Sequence, residues 1–213
     1  MPRTAARNEV WPVVHAERWA LADDLEGLAP DRWATPSLCA GWDVHDVLAH
    51  LVDDARTTPV RFLTRFAAAR FDFDAYTARG VRAERAADPA VTLAAFRAAV
   101  CRTTSAPAPR DTRLVEVFVH GEDVRRPLGI AHDPPRAAVA RALRFQARSS
   151  DAVGGGRARV AGVTLAATDT DLRLGDGPEV RGPVVSLLLL AAGRTGALAD
   201  LSGPGVDVVA ERA

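Results

Sequence analysis

Glu116 and His120, in the run Leu114-Val115-Glu116-Val117-Phe118-Val119-His120, are four residues apart. On a helix that spacing turns two side chains the same way, with Cβ atoms roughly 5–6 Å apart. A carboxylate and an imidazole so placed can grip one divalent metal ion. His50, in Asp46-Val47-Leu48-Ala49-His50-Leu51, falls on a second expected helix and would supply another imidazole. Three protein ligands leave a coordination position open, which is the mark of a catalytic rather than a structural metal. Glu116 is flanked by Leu114, Val115, Val117, Phe118 and Val119, and a carboxylate in so apolar a run needs a cation or strong donors. A salt bridge to one of the many arginines is the alternative to a metal. His50 taken alone would be an ordinary core or surface histidine.

The other reactive side chains carry less. His15, His45 and His132 have no acidic or imidazole partner at a useful spacing and are expected in solvent. Cys39, in the loop before the His50 helix, could approach a metal or be an inert buried thiol. Gly154-Gly155-Gly156 lacks the strand-to-helix context of a phosphate loop and reads as a flexible turn.

Composition sets the outer limits. The 213 residues suffice for one large domain or two small ones, and 48% hydrophobic with 25% charged residues is ordinary for a globular protein. Every basic side chain is arginine, so lysine-nucleophile and Schiff-base chemistry is excluded. The formal net charge is zero without a basic stripe, which argues against nucleic-acid binding. Cys39 and Cys101 lie far apart and form no disulfide framework, which suits a reducing compartment. The N-terminal residues lack an apolar core of signal-peptide length, and the longest apolar run, residues 184–192, is far short of the ~20 residues of a membrane span. A cytoplasmic protein, monomer or homodimer, without a membrane or nucleic-acid partner is expected.

The pattern along the chain predicts helices over residues 10–28, 44–56, 60–71 and from about 91 to 104. Part of 72–89 should be helical too. A further helix, capped by Asp111 or Thr112, carries Glu116 and His120 towards Pro127. Asp43 is a candidate N-cap, with Asp46 three residues on in a capping-box-like arrangement. Amphipathic helices in series with short connections indicate an antiparallel bundle. After Asp133-Pro134-Pro135 the character changes: a helix over 136–148, β-like runs at 158–161, 163–168 and 171–174, a buried helix over 184–192, and a last strand at 206–209. The expected class is α+β, with a helical domain over residues 1–133 and a small α+β domain over 134–213.

Three stretches resemble the mycothiol-dependent maleylpyruvate isomerase family, within the DinB-like metalloprotein superfamily. Thr35-Pro36-Ser37-Leu38-Cys39-Ala40-Gly41-Trp42-Asp43-Val44-His45-Asp46-Val47-Leu48-Ala49-His50-Leu51 is similar to the family's Pro…Cys-x-Gly-Trp-Thr-Val-x-Asp-x-x-x-His-Leu segment, with Asp43 in place of Thr. Glu116 to Gly129 resembles its Glu-x-x-x-His-x-x-Asp-x-Arg-x-Pro-Leu-Gly segment. The third stretch, from Ala167-Thr168-Asp169 through Gly193-Arg194 to Leu201-Ser202-Gly203-Pro204-Gly205, is similar to the C-terminal domain that accompanies the family's bundle.

The resemblance implies a DinB-like four-helix bundle joined to a small sterol-carrier-like α+β domain. It places the metal ligands on His50, Glu116 and His120, with zinc the usual metal and mycothiol the thiol cofactor. Zinc with an open position holds a thiol as thiolate at neutral pH. Thiolate addition to a conjugated double bond then permits rotation and elimination in an isomerase, or release of the adduct in an S-transferase, with a small electrophile as substrate. Arg194, in the Gly-Arg match, would bind a substrate carboxylate, or else serve a salt bridge or helix end. Asp123 would orient a ligand or serve a helix end. Two other classes stay open on the residues alone: a hydrolase in which the metal activates water, and a non-catalytic metal-containing binding or regulatory protein.

Overall fold

A computed structural model describes residues 10–151 and 154–212, so the reading of the first seven residues lies outside it. Among the described residues the architecture is helix-rich with one three-stranded sheet, an α+β protein. The chain falls into two compact units. The first runs to Pro109 and takes in His120–Ala131; the second comprises Arg110–Val119 and the chain from His132 onward.

The first unit contains α1 (Val10–Asp24), a 3-10 turn (Pro30–Ala34), α2 (Val44–Arg56), α3 (Pro59–Ala68), α4 (Phe73–Glu84) and α5 (Pro89–Ala99). It also takes the C-terminal part of α6 (Thr112–Leu128). The starts follow from local chemistry. Asp43 accepts from the Asp46 backbone N–H at 2.7 Å while Asp46 accepts from the Asp43 N–H at 3.2 Å, so the capping box is complete. Arg85 binds the Asp43 carboxylate at 3.0 Å and so ties the end of α4 to the start of α2. Pro59 and Pro89 occupy first-turn positions, where their missing N–H is harmless.

Leu21 and Ala22 of α1 with Leu25 just beyond it, Val44, Val47, Leu48, Leu51 and Val52 of α2, Leu93 and Phe96 of α5, and Val124 and Leu128 of α6 form one buried cluster. Four helices thus share a core, and each fully buried Leu or Val in it contributes about 1.5–3 kcal/mol. Pro127 inside α6 cannot donate to Asp123 O, four residues back, and that carbonyl accepts from the Leu38 N–H at 3.2 Å instead. Gly129, at φ +68°, and Ile130 close a Schellman turn, with the Ile130 N–H donating to Arg125 O at 2.9 Å and the Gly129 N–H to Arg126 O at 3.0 Å. That turn is why Pro-Leu-Gly ends this helix.

His45 corrects the sequence reading. It is 3% exposed, not solvated, and its Nε2 meets the Thr92 hydroxyl of α5 at 2.8 Å. Burial first, then the Arg85 guanidinium, holds its pKa below the ordinary 6.5, against weaker opposing pulls from Asp43, Asp46 and Asp88. His15 is also half-buried, its ring tilted at 31° against Trp11 with ring centroids 5.9 Å apart. Because the folded pKa of His45 is the lower one, its neutral form contributes fully above about pH 6.5. Below that, the unfolded chain takes up the proton first and stability falls. His45→Gln should lower the melting temperature at pH 7.5 yet flatten its decline between pH 7 and 5. Parallel slopes for the two proteins in a thermal-melt series would refute this.

The second unit holds α7 (Arg136–Gln146), β1 (Thr164–Ala167), β2 (Arg173–Gly175), β3 (Glu179–Gly182), α8 (Val184–Ala191), a 3-10 turn (Thr195–Asp200) and α9 (Val206–Ala210). Strand order is β2-β1-β3; Leu165 pairs antiparallel with Leu174 and parallel with Val180. Leu187 to Leu190 of α8 are 0% exposed, as the apolar run predicts. Two expected strands are absent. Residues 158–161 form turns, and the Val-rich 206–209 run is helix α9, with Val209 at 0% exposure. Here packing of a single apolar face overrides β propensity.

Candidate metal centre

His50 lies at the middle of α2, on the flank of the face that buries Val47, Leu48, Leu51 and Val52. α6 carries Glu116 and His120 one turn apart. Among the described residues these three form a group whose ligand atoms all lie within 4.8 Å of one another, each side chain half-buried. The pair singled out from its spacing and the second-helix imidazole of His50 are therefore brought together. The imidazoles of His50 and His120 have ring centroids 4.8 Å apart at 74°, and the Trp42 indole packs on His50 with centroids at 5.2 Å.

The arrangement suits a metal on two counts. Ligands 2.0–2.2 Å from a tetrahedral zinc stand roughly 3.4 Å apart, so the set is within small side-chain movements of closing on one ion. Second, His120 Nδ1 contacts Asp123 Oδ2 at 2.9 Å, and Asp123 is 0% exposed. A carboxylate accepts only, so Nδ1 carries the proton and Nε2 is left with its lone pair towards a metal. Arg113 Nη2 stands 4.0 Å from Glu116 Oε1, an i,i+3 ion pair on the same helix, so the arginine partner that the sequence allowed lies at the edge of range.

Cys39 is not a member of the group; it packs, half-buried, against the core cluster of the first unit. Arg194 precedes the 3-10 turn Thr195–Asp200 and donates from Nη1 to Ala192 O at 2.9 Å. Its surroundings are those of a half-buried loop guanidinium. Asp123 was legible as an orienting or helix-end residue through the family resemblance. Trp42 was not, because stacking between a loop and a helix leaves no spacing signal.

Among the described residues no helix is long and apolar enough to cross a membrane. No curated protein matches the chain. Two crystal structures of mycothiol-dependent maleylpyruvate isomerase share its fold, each covering 92% of both chains at 17% identity. A histidine-to-alanine variant superposes with a TM-score of 0.63 and the other structure with 0.61. Residues 14–125, more than half of the sequence and including His50, Glu116 and His120, match the family described as mycothiol maleylpyruvate isomerase N-terminal domain. The chain belongs to that enzyme family.

Proposed function

We propose that this protein is a divalent-metal-dependent, mycothiol-dependent isomerase or S-transferase of small electrophiles, with zinc the metal and isomerisation the first reaction to test. The observation that carries the reading is the convergence of His50, Glu116 and His120 within 4.8 Å, in a chain that belongs to this family. Zinc held there would keep a thiol ionised at neutral pH, the form that adds to activated double bonds. His50 and His120 would offer neutral imidazoles and Glu116 a negative charge, while Asp123 keeps His120 in the right tautomer. Trp42 limits the rotation of His50. Maleylpyruvate, named in the structural relatives, is the first substrate to assay. An isomerase leaves the thiol unconsumed, whereas a transferase uses one equivalent per turnover.

On the same reading, α1, α2, α5 and α6 form the DinB-like four-helix bundle, and the sheet with α7 and α8 is the sterol-carrier-like domain, divided at residues 133/134. The cytoplasm is the compartment, since the reaction draws on a reduced thiol and both cysteines are free.

Arg194 is the proposed anchor for a substrate carboxylate, because a guanidinium fork binds carboxylates bidentately. Arg194→Ala should leave metal content unchanged and lower kcat/KM about 10–100-fold, the loss of one charge-assisted contact of ~1.5–3 kcal/mol. Unchanged kcat/KM with a carboxylate substrate would remove Arg194 from the site.

A further inference from the structure

We propose that a cavity at the C-terminal end of α7 binds a small organic dianion with an apolar body, a phosphomonoester or a dicarboxylate. The cavity has a volume of ≈ 420 Å³ and is lined by Asp111, Arg141, Arg144, Phe145, Arg148 and Ser149. That volume is in the range of small-molecule sites. It shares no residue with the His50–Glu116–His120 group.

The argument is one of charge. Arg141, Arg144 and Arg148 stand at i, i+3 and i+7, on one face of α7 and its continuation. Like charges at such spacings repel one another. Asp111 neutralises only Arg141, through contacts of 2.6 and 2.9 Å. Arg144 and Arg148 have no carboxylate partner among the described residues, so three guanidiniums and one carboxylate leave the cavity doubly positive. Cations at a helix C-terminus interact favourably with its dipole, but that effect explains neither the cavity nor the aromatic wall that Phe145 adds to it. Ser149 gives its hydroxyl proton to Phe145 O at 2.9 Å, so Arg144 and Arg148 carry the recognition. Two planar forks matched to a dianion supply bidentate contacts, and the Phe145 ring covers the ligand's apolar part.

The test is calorimetric titration of the full chain with phenyl phosphate, phthalate and inorganic phosphate. One of the two organic dianions should bind saturably at one site per chain with Kd below about 1 mM, and at least several-fold tighter than inorganic phosphate. Whichever binds tighter identifies the phosphoryl or the dicarboxylate class. Arg144→Gln and Arg148→Gln should each weaken binding about tenfold with unchanged melting temperature. Arg82→Gln, an equal charge change on α4, should not alter it, and Glu116→Ala should retain it. No saturable binding, equal weakening by Arg82→Gln, or loss in Glu116→Ala would each overturn the proposal.

Discussion

Glu116→Ala and His120→Ala should each abolish metal binding and turnover together. Each removes one of three side chains that converge within 4.8 Å, and two remaining ligands cannot hold a divalent ion against water. The loss should exceed the about 10–100-fold that follows when only a ligand's hydrogen-bonding partner is removed. Glu116→Gln separates charge from shape, since it keeps a ligating oxygen but loses the negative charge that offsets the cation. Both variants should remain folded, because Glu116 and His120 are half-buried rather than part of the core cluster. Metal content by plasma mass spectrometry, read beside activity on the same samples, checks this. A variant that loses metal but keeps its rate would break the link.

The largest stability effect is expected at Arg125. Its guanidinium is 1% exposed, bound through Nε to Asp24 at 2.6 Å and close to Glu17 at 3.8 Å, joining α6 to α1. Gly121 makes room for it, since a Cβ there would lie 2.9 Å from Arg125 Nη1. Arg125→Ala would remove the cation that binds Asp24 at 2.6 Å and stands 3.8 Å from Glu17, itself 6% exposed. Removing one partner of a buried pair costs about 3–5 kcal/mol, enough to unfold many domains of this size. Arg125→Met, which keeps the stem but not the charge, should be nearly as harmful. Denaturant titration measures both, and a loss under about 1 kcal/mol would show that the network is dispensable.

How far the sequence revealed this molecule depends on the kind of signal. The capping box at Asp43 and Asp46 and the helical i,i+4 pair of Glu116 and His120 are local patterns, and they were legible. His50 could be joined to that pair because two imidazoles and one carboxylate make chemical sense as a set. His45 was misjudged because its partner, Thr92, is 47 residues away. Strand β3 was missed because Glu179-Val180-Arg181-Gly182 offers only one buried large apolar side chain, Val180. The 206–209 run deceived in the opposite direction. Its three valines suggest a strand, yet the chain after Gly205 coils to bury Val209. Arg144 and Arg148 carried no signal until the structure placed them around one cavity.

The most direct test of the account is turnover of maleylpyruvate by the purified protein, with and without mycothiol, before and after removal of metal by a chelator. Activity should require both the thiol and the metal, vanish on chelation, and return when zinc is added back. Full activity after metal removal, or equal turnover with water and no thiol, would contradict it.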